Sequence, residues 1–294
     1  MLLDGPEGLA ADGPAKLTRR ALAGLIGAVG FAAYVRPVAA SAISTSAEGL
    51  VTETAMFPAA GTELPAYIVR PQGEGPFPVI VVVHEIFGVH EYIRDVARRF
   101  AQQGYYAIVP DLYARAGDPS GLSDFSKIRE IVRTATHDQV MGDLTRLVDW
   151  LEGRSAAKTE ALGITGFCWG GSVVWMFAAQ DPRVDAGVAW YGRLRAPEAA
   201  RSFDASERPW PIDVATKLNA PVLGLYGGQD RGIPAEDAEA MAEALKQADQ
   251  PSSIIIYDQA GHGFHADYRQ SYHEQAATDG WQRALDWFEQ HGVG

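Results

Sequence analysis

The stretch that decides the fold is Leu162-Gly163-Ile164-Thr165-Gly166-Phe167-Cys168-Trp169-Gly170-Gly171. It runs from a strand-like segment through a sharp turn at Cys168 into a helical segment, and Gly166 and Gly170 flank the cysteine in the spacing of a nucleophile elbow. Side chains at those two positions would collide with neighbouring elements. The turn places Cys168 at a helix N-terminus, where free amides and the helix dipole favour a thiolate. The alternative is an inert, buried cysteine.

Short apolar runs alternate with longer helical patterns on both sides of this turn. The β-branched run Pro78–Val83 is typical of a strand buried on both faces. Further strands are predicted at Tyr105–Val109, Ala161–Thr165, Ala186–Trp190, Pro221–Tyr226 and Ser253–Tyr257. Helices are predicted around Ile93–Ala101, at His137–Gly153, beyond Trp169, near Glu236–Gln247 and near Tyr272–Gln290. Such alternation predicts an α/β fold, a mostly parallel central sheet with helices on both faces. Residues 43–294 are expected to form this single domain, with Arg193–Lys217 as an excursion over the sheet edge.

Two further polar residues follow predicted strands. Asp230 comes after the strand Pro221–Tyr226, and His262 lies between the last strand and the last helix. The chain order nucleophile, acid, histidine is that of α/β-hydrolases. His262 would accept the proton of Cys168, and Asp230 would orient the imidazole. Taken singly, Asp230 could be a turn former and His262 a loop histidine with a structural partner.

Residues 1–42 have the composition of an export signal. Arg19-Arg20 precedes the weakly apolar stretch Ala21–Val35, and an A-x-A-like end follows at Val38–Ala42. The paired arginines and the glycines of the apolar stretch indicate the twin-arginine route, with cleavage, a periplasmic location and no stable membrane association afterwards. A disordered leader or a retained amphipathic anchor are the alternatives.

Charge and cysteine content exclude several classes of function. The net charge is −12 and no basic stripe is present, which argues against nucleic-acid binding. Cys168 is the only cysteine, so no intramolecular disulfide can form. His262 and His265 lack a third metal ligand and a helical frame, so we expect neither a metal nor a cofactor.

With these motifs in place, the sequence resembles the dienelactone hydrolase family over about residues 50–290. The resemblance rests on five ordered motifs. They are His84-Glu85-Ile86-Phe87-Gly88, Pro110-Asp111-Leu112-Tyr113-Ala114-Arg115, Gly166-Phe167-Cys168-Trp169-Gly170-Gly171, Tyr226-Gly227-Gly228-Gln229-Asp230 and Gly261-His262-Gly263-Phe264. The implied fold is that of the α/β-hydrolases.

The resemblance also implies roles for residues around the nucleophile. Glu85 would lie beside the thiol and control its proton, and the backbone amides of Ile86 and Trp169 would form the oxyanion hole. Arg115 would bind a substrate carboxylate, and the remaining substrate-binding residues would be Tyr113 and Tyr191. In one respect the chain departs from the family.

Family members that act on dienelactone often carry an arginine four residues after the histidine. Here that position is Ala266, and Arg269 follows further on. Carboxylate recognition is therefore weakened or rebuilt. The expected partner is a small-molecule ester or lactone, cleaved through a thioester on Cys168. The rival interpretations are a general carboxylesterase or acyl-thioesterase using the same site, and a non-catalytic ligand-binding homologue.

Overall fold

The computed structural model of the protein describes residues 43–196 and 209–294. The predicted export signal, residues 1–42, lies outside the described residues, as does the middle of the predicted excursion, residues 197–208. Within the described part of the chain, no helix is long and apolar enough to span a bilayer.

Eight strands and seven α-helices make up the described fold. The strands are β1 (Leu50–Ala59), β2 (Thr62–Pro71), β3 (Phe77–Val83), β4 (Tyr106–Pro110), β5 (Ala157–Phe167), β6 (Ala186–Trp190), β7 (Val222–Gly227) and β8 (Ser253–Tyr257). The helices are α1 (Glu91–Gln102), α2 (Phe125–Thr134), α3 (His137–Leu151), α4 (Trp169–Gln180), α5 (Pro211–Val214), α6 (Ala235–Gln247) and α7 (Glu274–Gln290).

All eight strands form one sheet in the order β1-β2-β4-β3-β5-β6-β7-β8. Strands β3 to β8 run parallel to one another, whereas β1 and β2 pair antiparallel and β2 pairs antiparallel with β4. The predicted fold class, a mostly parallel sheet of the α/β-hydrolase type, is confirmed.

The core lies on both faces of this sheet. Strand β3 shows the alternation clearly, because Val79, Val81 and Val83 face one apolar cluster while Ile80 and Val82 face the other. Helices α3, α4 and α6 cover the first face, and α1 and α7 cover the second. The continuous apolar run of β3 is thus the signature of a strand buried on both sides.

The hairpin β1–β2 and the helices α2 and α5 were not predicted. The hairpin β1–β2 is half exposed along β1, so its polar residues hide the alternation expected of a strand. Helix α2 was missed although Phe125, Ile128, Ile131 and Val132 have the spacing of one apolar helix face; of these only Ile128 is buried. The start of α2 also carries a local signal, because the Asp124 side chain accepts a hydrogen bond from the Ser126 amide.

The topology brings six loops to one edge of the sheet. The carboxyl ends of parallel strands lie at the same edge of the sheet, and the loop after each of these strands carries a candidate site residue. Glu85 follows β3, Tyr113 follows β4, Cys168 follows β5, Tyr191 follows β6, Asp230 follows β7 and His262 follows β8.

Candidate active site

The turn at Cys168 is strained and tightly enclosed. Cys168 has φ 55° and ψ −113°, a conformation that non-glycine residues seldom adopt. A Cβ on Gly166 would lie 2.4 Å from the carbonyl oxygen of Gly170, and a Cβ on Gly170 would lie 2.4 Å from that of Val83. The two glycines therefore permit the end of β5, the start of α4 and the end of β3 to meet, with the half-buried thiol at the junction.

Cys168, His262 and Asp230 form a continuous hydrogen-bonded chain. Nε2 of His262 lies 3.2 Å from Sγ of Cys168, and Nδ1 lies 2.7 Å from Oδ2 of Asp230. The other carboxylate oxygen, Oδ1, accepts hydrogen bonds from the amides of Gly232 and Ile233. Those amides fix the carboxylate, which in turn fixes the imidazole with Nε2 toward the sulfur.

The surroundings of His262 favour its charged form. Burial lowers the pKa of His262, but the negative charges of Cys168 and Asp230 and the hydrogen bonds to both outweigh burial and raise the pKa to about 10. The imidazole of His262 is therefore favoured in its charged, imidazolium form near neutral pH.

The segment that carries Ile86 is held against the turn that carries Trp169. His84 is fully buried and joins two loops, because its Nδ1 lies 2.8 Å from the Glu85 carbonyl oxygen while its Nε2 accepts from the Leu112 amide at 3.2 Å. Burial lowers the pKa of His84 to about 4, so the ring is neutral. The imidazole also stacks on the Trp169 ring, with centroids 5.5 Å apart. Since Trp169 opens α4, its amide is among those with no intrahelical acceptor.

The fully buried Glu85 carboxylate bonds to side chains other than the thiol. Oε1 accepts from Arg269 at 3.0 Å, and Oε2 accepts from the Tyr268 hydroxyl at 2.7 Å and lies 3.2 Å from Nε2 of His90. Burial raises the pKa of Glu85, but Arg269 and the bonds from His90 and Tyr268 outweigh it and lower the pKa to about 2. The expected contact of Glu85 with Cys168 is thus replaced here by an ion pair with Arg269, and the thiol pairs with His262.

The expected carboxylate binder Arg115 is also engaged elsewhere. Its two terminal nitrogens donate to the two oxygens of Asp143, at 2.5 and 2.8 Å, and one of them also reaches the Ala60 carbonyl oxygen. Asp143 is fully buried. Arg115 binds Asp143 through the forked, two-pronged geometry that it would use on a substrate carboxylate. An internal carboxylate therefore takes the place expected for the carboxylate of a substrate.

The two expected substrate-binding tyrosines contact residues of the site or its immediate neighbours. Tyr113 packs against Trp169 and His84, with ring centroids 4.9 and 4.6 Å away. Tyr191 meets His262 edge to face at 5.3 Å and has a φ of 40°. Both rings are buried.

Comparison with known proteins identifies the family of the chain. Residues 64–292 match the model of the "Dienelactone hydrolase family". The chain belongs to the dienelactone hydrolase family. It is 49% identical over 279 residues to a "Putative carboxymethylenebutenolidase" of Methylorubrum extorquens, covering 94% of each chain. A protein of the same name from Escherichia coli K12 is 46% identical over 265 residues, covering 90% of this chain and 96% of the relative.

A solved relative supports the fold. The crystal structure of a "Putative Dienelactone Hydrolase" from Klebsiella pneumoniae superposes with a TM-score of 0.76 at 45% identity, covering 82% of this chain and 99% of the other. The protein is accordingly an enzyme, a carboxylic ester hydrolase of the dienelactone hydrolase type.

The cation beside Glu85 comes from the loop that follows His262. Ala266 is fully buried and carries no charge, and the guanidinium that reaches Glu85 comes from Arg269. Two successive turns place it there, since the Ala266 amide donates to the Gly263 carbonyl and the Arg269 amide to the Ala266 carbonyl. Sequence reasoning did not find the roles of Arg269, Tyr268 or His90, because turn geometry rather than periodicity sets where they point. The one available signal was that a basic residue, Arg269, follows shortly after Ala266.

The described residues offer no evident metal centre. Between residues 43 and 196 and from 209 onward, no group of three or more His, Cys, Asp or Glu side chains is arranged to hold a metal ion. His265 is held by the Tyr92 hydroxyl, which lies 2.6 Å from its Nδ1, and burial lowers its pKa to about 3. His265 is thus a neutral core residue of the aromatic cluster beneath the site.

Proposed function

We propose that this enzyme hydrolyses esters and enol-lactones by covalent catalysis, with Cys168 as the nucleophile and His262 and Asp230 as its partners. The observation that carries the proposal is the chain of contacts from Sγ of Cys168 to Nε2 of His262 at 3.2 Å and from Nδ1 to Asp230 at 2.7 Å. Membership of the dienelactone hydrolase family supports the ester or lactone as the bond that is cleaved.

In the first half of the reaction the Cys168 thiolate attacks the carbonyl carbon. A carbon–sulfur bond forms, and the carbonyl electron pair moves to oxygen, where the amides of Ile86 and Trp169 stabilise the charge. The intermediate collapses with cleavage of the carbon–oxygen bond. The imidazolium of His262 then gives its proton to the departing alkoxide or enolate, which leaves a thioester and a neutral imidazole.

In the second half neutral His262 takes a proton from water as the water oxygen attacks the thioester carbonyl. The carbon–sulfur bond breaks, the thiolate departs, and it is again paired with the imidazolium. The acid is released. Because a thiolate is itself a good leaving group, the first half succeeds best with stabilised leaving groups, so we expect activated esters and enol-lactones to be cleaved and amides to resist.

The test is to look for the thioester directly. Mixing the enzyme with p-nitrophenyl acetate should give a burst of p-nitrophenol close to one equivalent per site, and intact-mass measurement should find one acetyl group on Cys168. Cys168→Ala should abolish the burst, the adduct and turnover. Tyr106→Phe, a buried change at the opposite end of β4, is the matched control and should retain all three. Full turnover by Cys168→Ala would refute covalent catalysis by this residue.

A further inference from the structure

Residues 43–46 lie along helix α1 and are held there by hydrogen bonds. The Thr45 amide donates to Oδ1 of Asp95 at 2.5 Å, and the Thr45 hydroxyl donates to Oδ2 at 3.2 Å. Arg98 donates to the Thr45 carbonyl oxygen at 3.0 Å, and Gln102 donates to the Ser46 carbonyl oxygen at 3.1 Å. These four bonds give the segment a defined position against the fold.

Ile43, at the start of this segment, lies beside a buried carboxylate. Ile43 and Asp267 line the same cavity, which has a volume of about 240 Å³. Asp267 is only 1% exposed. Burial raises the pKa of Asp267, and hydrogen bonds from Arg99 and from the Ile43 amide counteract part of that rise. The backbone nitrogen of Ile43 therefore faces a carboxylate that is shielded from water.

The surroundings of this nitrogen are acidic. Asp95 and Asp267 share the guanidinium of Arg99, whose Nη2 lies 2.7 Å from Asp95 and 2.5 Å from Asp267. Arg98 binds Asp95 at 3.0 Å and Glu91 at 2.5 Å. Within the described part of the chain, three carboxylates are thus bound by two guanidiniums. A third cation here would balance the charges, and two buried carboxylates attract it more strongly than charges on an open surface would.

The sequence places a predicted cleavage point directly before Ile43. The predicted export signal ends in Ala40-Ser41-Ala42, with small residues at the two positions that a signal peptidase reads. Cleavage after Ala42 consumes one water. The water oxygen ends in the new carboxylate of Ala42, and both of its hydrogens end on the nitrogen of Ile43. That nitrogen is then an ammonium group near neutral pH, since the ordinary pKa of an α-amine is about 7.7–8.0.

From this arrangement we infer that the Ala42–Ile43 bond is a processing site, and that cleavage by a signal peptidase creates an ammonium group on Ile43 that forms an ion pair with Asp267. In the uncut chain the donor at this position is a neutral amide. The ammonium group adds a full positive charge and further N–H donors, and charge-assisted hydrogen bonds are about twice as strong as neutral ones.

The ion pair would join the new N-terminus to the loop that carries His262. Asp267 lies in the same loop between β8 and α7, where the Ala266 amide donates to the Gly263 carbonyl oxygen. The segment 43–46 is itself bound to α1. Processing would therefore link α1, the new N-terminus and this loop, and the processed enzyme should be more stable than the uncut chain.

The first test determines where the exported enzyme begins. Intact-mass measurement of enzyme from the periplasm of cells that express the full chain should find residues 43–294. Ala42→Leu puts a large side chain at the cleavage point and should block processing, whereas Ser41→Leu, at the unrestricted middle position, is the matched control and should be cut normally. An exported enzyme that begins at any other residue would overturn the inference.

The second test titrates the new α-amine. Reductive methylation with ¹³C-formaldehyde keeps the charge of the amine and allows its pKa to be measured by NMR. We expect a pKa above about 9 in the processed enzyme, because nearby carboxylates favour the charged form, and a lower pKa in Asp267→Asn. A pKa in the ordinary range of about 7.7–8.0 in the unaltered enzyme would contradict the ion pair. Besides Asp267, Arg98 and Arg99, the ionisable residues around this group are His90, Glu91, Tyr92 and Asp95 from α1 and its start, and Tyr268 from the loop before α7.

The third test separates the ion pair from the contact of Asp267 with Arg99. Asp267→Asn weakens that contact in every form of the chain, so its effect is compared between the processed enzyme and the uncut Ala42→Leu enzyme. We expect the melting temperature to fall by about 2–4 °C more in the processed form. Equal losses would contradict the inference. If Asp267→Asn does not fold, the titration of the unaltered enzyme still decides. None of these measurements uses the reaction of Cys168, so failure here leaves the proposed function untouched.

Discussion

The Arg269 guanidinium donates to Oε1 of Glu85 at 3.0 Å, and both side chains are buried. The pair fixes the His84–Glu85 loop, and with it the Ile86 amide, relative to the nucleophile. A single buried ion pair thereby contributes both to stability and to the geometry of the proposed oxyanion hole.

Replacing Arg269 by methionine should destabilise the fold strongly. The change leaves the Glu85 carboxylate buried without a cation, which costs about 3–5 kcal/mol in the free energy of unfolding. Chemical denaturation at pH 7 measures this. The double variant with Glu85→Gln removes the stranded charge and should recover part of the loss. Equal stability of Arg269→Met and the unaltered protein would contradict the ion pair.

The same variant should reverse the pH dependence of stability. In the unaltered protein the Glu85 pKa is lowered to about 2, so its contribution is present above the ordinary carboxyl pKa of 4.5 and lost as the pH falls toward 2. Without Arg269 burial raises the pKa of Glu85 instead. The deficit of Arg269→Met should therefore shrink on acidification, as protonation neutralises the buried group.

The activity should have an upper pH limit set by His262. Its pKa is raised from 6.5 to about 10, so the imidazolium that protonates the leaving group persists at neutral pH and is lost as the pH rises through 10. The stability that the ion pair of His262 and Asp230 contributes has the same pH dependence. It is complete below pH 6.5 and is lost as the pH rises through about 10. Asp230→Asn removes one cause of the raised pKa, so the alkaline limb of kcat/KM against pH should move to lower pH. An unmoved limb would argue against His262 as the titrating group.

Much of this site followed from the order of residues along the chain. Cys168, Asp230 and His262 each come directly after a strand, and parallel strands put such positions at one edge, so their convergence could be anticipated. The partners of Glu85 and Arg115 could not. Asp143 lies on the buried face of α3, and Arg269 reaches inward only because of two consecutive turns. Side chains that meet through loop conformation leave no periodic signal in the sequence.

The strands and helices also divide into those that were predicted from the sequence and those that were not. Strands buried on both faces were predicted within a few residues, and β6 and β8 at their observed limits. The edge hairpin was missed because partial exposure lets polar residues interrupt the apolar pattern of β1, whereas α2 was missed although its apolar residues have helical spacing.

Gly170→Ala should damage activity more than a glycine substitution elsewhere. The new Cβ would lie 2.4 Å from the Val83 carbonyl oxygen and 2.7 Å from that of His84, so backbone must move. Overpacking of this kind costs about 1–3 kcal/mol in the free energy of unfolding. A shift of the two oxyanion-hole segments should lower kcat/KM by about a hundredfold. Gly121→Ala is the matched control, because its Cβ meets nothing within 4 Å; similar losses in both variants would contradict this explanation.

We propose that residues 1–42 direct export by the twin-arginine route, on the basis of Arg19-Arg20 and the weakly apolar stretch that follows. Cells expressing the full chain should contain a shortened enzyme in the periplasmic fraction. Arg19→Lys combined with Arg20→Lys should retain the full-length enzyme in the cytoplasm, whereas Lys16→Arg, the matched control, should not. Equal distribution of both variants would disprove the route.

The variant Tyr113→Phe should separate an effect on activity from an effect on stability. A buried hydroxyl without a hydrogen-bond partner lowers stability, so its removal should leave the free energy of unfolding unchanged or raise it by up to about 1 kcal/mol. If the hydroxyl binds a substrate oxygen, kcat/KM for an uncharged lactone should nevertheless fall by about tenfold, the equivalent of one neutral hydrogen bond. Tyr106→Phe removes a hydroxyl of the same kind at the far end of β4 and should change stability alone. Unaltered kinetics in Tyr113→Phe would exclude the hydroxyl from substrate binding. The variant is expected to fold fully, so a change in stability could not hide an effect on kcat/KM.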